Sequence, residues 1–370
     1  GCGSDDAPVD VDQSSCNGGN SVYLADNGVT IKACANAVIG DTGTIGGVEY
    51  TIVNRVILDQ MITNNEDVTV VCTTRITNMS TMFYGTESFN QPIGNWDVSK
   101  VTNMSDMFYR AESFNQPIGN WDVSSVTDMR AMFAYVTSFN QPIGNWDVSK
   151  VTNMRRMFFG TTAFNGDISY WDVSSVTNMS DMFGYAFTFN QPIGEWNVSS
   201  VTDMRHMFRD STFNQPIGNW DVSSVTNMSD MFYRAESFNQ PIGDWDVSSV
   251  TDMSAMFTLA VSFNQPIGNW DVSSVINMSD MFGYAFTFNQ PIGEWNVSSV
   301  TDMYAMFRSA QAFNQPIGDW DVSSVITMQL MFFGATDFNQ DLSSWDVNNV
   351  TNYDTFSYNT PNWTLPKPNF

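Results

Sequence analysis

Phe114-Asn115-Gln116-Pro117-Ile118-Gly119-Asn120-Trp121-Asp122-Val123-Ser124-Ser125-Val126-Thr127-Asp128-Met129 decides how the chain is read, because it recurs with small edits along most of it. Its phenylalanine falls at 89, 114, 139, 164, 189, 213, 238, 263, 288, 313 and 338, a step of 25 residues interrupted once by a step of 24 before Phe213. A fixed period of about 20–50 residues marks a solenoid, in which each unit is one coil that cannot bury its own apolar face. The expected fold is an α/β repeat, a right-handed solenoid of about 11–12 coils over residues 74–356, with one short parallel strand plus one short helix per coil.

Within one coil, Val101, Met104, Met107, Phe108 and Ala111 step by three and four, the spacing of a helical face. Thr102 stands where an N-cap belongs, and Asp106 lies in the first turns, where the helix dipole favours a carboxylate. Such a helix has about two turns and needs packing from neighbouring coils. Pro117 cannot donate to a ladder and marks a loop. Trp121-Asp122-Val123-Ser124 alternates as a strand does, with Trp121 and Val123 inward and Asp122 and Ser124 outward. Strands of this kind would stack in parallel at about 4.8 Å. The 23 Met and 28 Phe are mostly repeat positions and read as core filler.

Acidic residues number 39 and basic residues 14, a net charge of −25. Nucleic acid is thereby excluded as a partner, and so is adsorption to anionic lipid, since both need Lys and Arg. No apolar run reaches the roughly 18 residues of a membrane-spanning helix. The basic residues Arg110, Arg130, Arg155, Arg156, Arg205, Arg209, Arg234 and Arg308 fall on the segments read as helical, giving that face a milder charge than the strand face.

Residues 21–73 differ from the repeats and read as a small N-terminal α/β capping domain. Ser21–Ala25 and Val29–Ala33 flank the turn signal Asp26-Asn27-Gly28, and Val48–Val53 is a third strand. Ile57, Leu58, Met61 and Ile62 lie at helical spacing, stopped by Asn64-Asn65. Residues 1–20 are polar and read as a tether, and residues 357–370 as a C-terminal cap in which Trp363 and Leu365 close the last coil. The cysteines are 2, 16, 34 and 72, and none lies in the repeats. A Cys34–Cys72 disulfide is favoured, with Cys16–Cys34 as its rival. No spacing supports a zinc site.

The string Trp-Asp-Val-Ser-x-Val-Thr-x-Met-x-x-Met-Phe, preceded by Phe-Asn-Gln, resembles the 25–26-residue bacterial surface-protein repeat known as a domain of unknown function and related to BspA-like leucine-rich repeats. Gly1-Cys2 resembles the end of a bacterial lipobox, and Ser4-Asp5-Asp6 the surface-export signal of Bacteroidota lipoproteins. These resemblances imply a leucine-rich-repeat-like solenoid on an outer-membrane lipoprotein, lipidated at Cys2 and displayed on the cell surface in the outer leaflet. Some BspA-like relatives bind host matrix proteins or other cells, although no residue here can be matched to that activity.

The outward strand position forms a column, Asp97, Asp122, Asp147, Asp172, Asp221, Asp246, Asp271, Asp321 and Asp346, with Asn197 and Asn296 at the same place. It reads as a candidate ligand-binding or Ca²⁺ ladder, or as a set of acceptors for backbone and Ser hydroxyls at the corner; the structural reading is preferred. A column of threonines at the helix starts, beginning at Thr102, suggests an ice-matching array or, preferably, helix caps. His206, the single histidine, reads as surface. The expected function is non-enzymatic adhesion, with a protein or glycan partner at the cell surface. The alternative is a structural subunit or spacer of an outer-membrane complex.

Overall fold

The computed structural model describes residues 19–370. Cys2, Cys16 and most of the expected tether therefore lie outside the described residues. The cap begins with an antiparallel hairpin, β1 (Val22–Leu24) and β2 (Ile31–Ala33), closed over the expected turn. β3 (Thr42–Ile45) pairs antiparallel with β4 (Val48–Ile52), which pairs parallel with β5 (Val71–Cys72). β3 and β5 escaped the sequence pattern. β3 is four residues long and carries Gly43, where a Cβ would lie 2.8 Å from Val22 Cγ2, so close approach to β1 selects Gly over a strand former. Helix α1 (Arg55–Thr63) starts at Asn54, whose side chain accepts from the Ile57 amide, and stops at Asn64.

The disulfide expectation is corrected. Cys34 is disulfide-bonded, but Cys72 is a buried free thiol. The Cys72 Sγ is taken up within the sheet, 3.4 Å from Thr74 Oγ1 and 3.6 Å from Ile31 O. Burial pushes this thiol above its usual range.

In the repeats the assignment of strand and helix is corrected as well. Among the described residues α1 is the only helix, and no strand is found after β5. Successive repeats instead join through eleven parallel bridges, from Asn78↔Asn103 to Thr327↔Asn352, each linking equivalent residues of adjacent repeats. They fall in the segment read as helical, not at Trp-Asp-Val. There, alternate amides bond to the next coil: Met104 N to Asp128 O, Asp106 N to Arg130 O, Phe108 N to Met132 O and Arg110 N to Ala134 O. The intervening amides close turns of three residues, Met107 N to Met104 O, Tyr109 N to Asp106 O and Ala111 N to Phe108 O. Half of the donors that a helix would use internally are thus exported along the stack. The geometry requires a left-handed residue twice per coil, as at Asp106 (φ 55°) and Arg110 (φ 58°), or Ala255 (φ 52°) and Leu259 (φ 58°). Non-glycine residues pay roughly 1–2 kcal/mol for that conformation, so the ladder must repay it.

The side chains add a second set of ties. Each repeat Trp donates its indole N–H to a carbonyl of the preceding coil, for example Trp121 Nε1 to Ile93 O at 3.1 Å and Trp146 to Ile118 O at 3.1 Å. Equivalent Trp rings stack at 6.4 Å and equivalent Phe rings at about 5.7 Å, as in Trp121–Trp146 and Phe108–Phe133. The Asn of Phe-Asn-Gln accepts from the amide of the next coil's Asn, Asn115 N to Asn90 Oδ1 at 2.9 Å. Gly218 has a different task, because a Cβ there would lie 2.6 Å from Pro241 O. Where one residue is missing before Phe213, the Phe213 amide donates to Ser211 Oγ at 3.1 Å, replacing the backbone bond that Phe114 makes to Ala111.

A single apolar cluster runs from Val53 and Leu58 in the cap through every coil to Trp363. The Trp121 and Val123 side chains are buried and Asp122 is exposed, as the alternation implied. α1 covers the first coil, and Arg55 ties it down through bonds to Asn78 O and Ser80 O. At the far end Trp363 packs edge-on against Phe332 and Phe338, while Leu365, expected to help, is exposed and Phe370 stacks on Tyr353 instead.

Two substitutions test the coil geometry. Ala255→Gly, at a left-handed position with little burial to lose, is expected to raise stability by up to about 1 kcal/mol. Gly218→Ala is expected to lower it, and the midpoints of denaturant unfolding give both signs.

Candidate functional site

The aspartate column is engaged in holding the corner of each coil. Asp147 Oδ1 accepts from the Ser149 amide at 3.0 Å and hydroxyl at 2.6 Å, and Asp221, Asp246 and Asp321 repeat the pair with Ser223, Ser248 and Ser323. Asp122 does the same with Ser124. Asp172, Asp271 and Asp346 accept from the amides of Ser174, Ser273 and Asn348. The Ser hydroxyl, then the amide, holds the carboxyls of Asp147, Asp246, Asp271 and Asp321 below their usual range. Asn197 and Asn296 accept from Ser199 and Ser298 in the same way, so the position requires an acceptor rather than a charge. Asp97 makes the same pair of bonds with Ser99, at 3.0 and 2.6 Å, but it is buried, and its other oxygen accepts from Thr74 Oγ1 at 2.7 Å. Among the described residues no group of three or more His, Cys, Asp or Glu is arranged to hold a metal ion.

The threonine column does not cap helices. Thr127 Oγ1 donates to Thr102 O at 3.3 Å and Thr152 Oγ1 to Thr127 O at 3.3 Å, reinforcing the main-chain ladder. A cleft of about 830 Å³ lies between α1 and the first coil. Its one guanidinium, Arg55, is already committed to Asp59 and to two carbonyls.

The coils differ from one another along the ladder and just beyond it, in one coil at Ser105, Asp106, Tyr109, Arg110, Ala111, Glu112 and Ser113, of which the first four lie on the outer side of the ladder. Ser-Asp recurs at the first two in Ser180-Asp181, Ser229-Asp230 and Ser279-Asp280, other coils carry Thr, Ala or Leu at the second, and only Arg155-Arg156 and Arg205-His206 place two basic residues there. Stacking brings these exceptions together. A cleft of about 650 Å³ is lined by Arg155, Arg156, Arg205, His206 and Arg209, by the rings of Tyr135, Phe159 and Tyr185, and by one carboxylate, Asp181. The rings run edge to face along the stack, Tyr135–Phe159 at 5.3 Å and Phe159–Tyr185 at 5.2 Å. Arg156 lies 4.6 Å over Phe159, and Arg209 4.8 Å over Tyr233.

His206 is not a simple surface residue. It is bracketed by carboxylates of the coils on either side, Nδ1 3.3 Å from Asp181 and Nε2 3.3 Å from Asp230. Asp181, then Asp230, raises its pKa to about 9 against the opposing effect of burial, so the imidazole is charged at neutral pH. Arg205 pairs with Asp203 at 3.4 Å, and Arg209 and Arg234 with Asp210 at 3.5 and 3.3 Å. Among the described residues Arg155 and Arg156 make no ion pair, and the Nε atoms of Arg155, Arg156 and Arg209 are shielded from solvent without a hydrogen-bond partner. Reading the basic residues one at a time missed this site. Comparing the four outer positions between coils would have found it.

The geometry defines a repeat protein with a nearly invariant inner frame and a cationic, aromatic cleft on its outer side. The chain belongs to the repeat family described as Mycoplasma protein of unknown function, DUF285, which matches residues 55–158, 137–216, 210–314 and 262–366. The match takes in helix α1 as well as the coils. No curated protein and no solved structure matches the chain.

Two titrations check the electrostatics of this face. The folded pKa of His206, about 9, exceeds its ordinary 6.5, so its contribution to stability is complete below about pH 6.5 and fades as pH rises through about 9. The melting temperature of the wild type over that of His206→Gln is expected to shrink between pH 6 and pH 9.5. At the equivalent place three coils on, burial, opposed by Arg308, raises Asp280 from 3.8 to about 6. The folded state binds the extra proton between those values, so stability falls as pH rises through them. Asp280→Asn is expected to stabilise the chain at pH 7.5 and to lose that advantage near pH 4.

Proposed function

We propose that the chain is a non-enzymatic, surface-displayed binding protein: a solenoid of leucine-rich-repeat-related, BspA-like type on a Bacteroidota-type outer-membrane lipoprotein, held by lipid on Cys2, which recognises a protein or glycan outside the cell. The observation that carries this reading is the division of labour within the coil. Inner positions repeat almost without change and build the frame, whereas the four outer positions vary and collect Arg, His and aromatic side chains into one cleft. Solenoids commonly use their extended exposed surface for recognition. The aspartate column supports the frame through its bonds to Ser, and its exposed carboxylate edges add to the acidic character that keeps such an array soluble.

A spacer in an outer-membrane assembly is the second reading, favoured by blocks such as residues 283–303, which repeat 184–204 without change. A spacer needs length, not a cleft with unpaired guanidinium groups.

Exposure on cells tests the proposal. Protease added to intact cells is expected to degrade the chain, and Cys2→Ser to release it from the membrane fraction. Full protection until the envelope is broken would refute surface display.

A further inference from the structure

Resting on that surface-binding reading, we propose that the cleft lined by Arg155, Arg156 and Phe159 binds the acid group of an anionic glycan, a uronate or sulfated sugar, with Tyr135 and Tyr185 flanking the sugar ring. Charge is the first argument. In a chain of net charge −25, four arginines and the only histidine converge on one cleft that has a single carboxylate in its lining. Three of these cations are matched: His206 by Asp181 and Asp230, Arg205 by Asp203, and Arg209 by Asp210. The adjacent Arg155 and Arg156 are not, and their shielded Nε atoms lack acceptors. A guanidinium without a carboxylate partner recruits an acid group through its terminal N–H donors, which a carboxylate or sulfate matches with paired, charge-assisted bonds.

The surroundings select the carrier of that acid group. Arg156 is packed over Phe159, which fixes its plane, and Tyr135 and Tyr185, each carrying a hydroxyl, meet that ring edge to face on either side. That combination offers an apolar contact for the C–H face of a sugar and hydrogen bonds for its hydroxyls. An extended peptide is poorly served, because the main chain of the cleft is already spent. Arg156 N bonds Ser180 O, Phe158 N bonds Met182 O, Gly160 N bonds Gly184 O, Asp181 N bonds Arg205 O and His206 N bonds Ser229 O. Strand addition therefore has no open edge here. An anionic bilayer is opposed by the overall charge, which repels a broad negative surface while tolerating a single acid group on a neutral-faced ligand.

Calorimetric titration of the purified chain tests the assignment, with a sulfated oligosaccharide, a uronate oligosaccharide, their desulfated and carboxyl-reduced forms, inorganic sulfate, and an acidic peptide. At least one acidic oligosaccharide is expected to bind, with affinity falling as salt rises, and its neutral form is expected to bind at least about tenfold more weakly. Arg155→Gln/Arg156→Gln is expected to lower affinity for the acidic sugar by at least about tenfold while Arg308→Gln, at a similar Arg–aromatic pair outside the cleft, leaves it unchanged. Equal melting temperatures of the variants exclude a folding defect. Failure of both acidic oligosaccharides to bind, equal binding of the neutral forms, affinity indifferent to the double substitution, or binding of the peptide or free sulfate alone would each overturn the proposal. Any of these leaves surface display standing, since protease exposure of intact cells is read independently.

Discussion

The structure depends on main-chain bonds that leave one coil and enter the next at the same place each time. Met104, Asp106, Phe108 and Arg110 each donate to the residue 24 positions on, and their counterparts in the following coils do likewise. Such a ladder can form only if like residues lie over like, so it imposes the period on everything else. The Trp indoles, the Asn side chains and the Thr hydroxyls all repeat the rule with side-chain atoms. Gly218 and its equivalents lack a Cβ because the carbonyl of the next coil occupies that space. Even the missing residue before Phe213 is absorbed locally, by Ser211, without loss of register downstream.

Exporting alternate amides has a conformational cost that recurs twice per coil, at left-handed residues that are mostly not glycine. An isolated coil could not sustain that strain, and an isolated two-turn helix would also be unstable. Stacking settles the competition, because each exported bond satisfies a donor in one coil and an acceptor in its neighbour. The ends then need covering. Helix α1 and Arg55 do so at the start, and Trp363 and Phe370 at the finish.

A rigid frame of this kind turns rare substitutions into a site. Arg155-Arg156 and Arg205-His206 have one whole coil between them, and Phe159 and Tyr185 belong to different coils, yet stacking at fixed register places them in one cleft. The same register threads His206 between Asp181 and Asp230, one from the coil before and one from the coil after. Charges that look dispersed along the chain become a local field, with Arg155 and Arg156 left as its unpaired members.

The period, the inward positions of Trp121, Val123, Phe114 and the methionines, and most of the cap were legible from residue order alone, because burial of apolar side chains follows spacing. Spacing could not distinguish a helix from a run of three-residue turns, since both put Met104, Met107, Phe108 and Ala111 on one side. The difference lies in where the amides send their bonds, and that is decided by a neighbouring coil. The same holds for Cys72, left free because its thiol is seated between Ile31 and Thr74, and for the cationic cleft. Residue order determined what each coil must bury; only the packing of coil on coil decided the backbone conformation that does it and which exposed side chains meet.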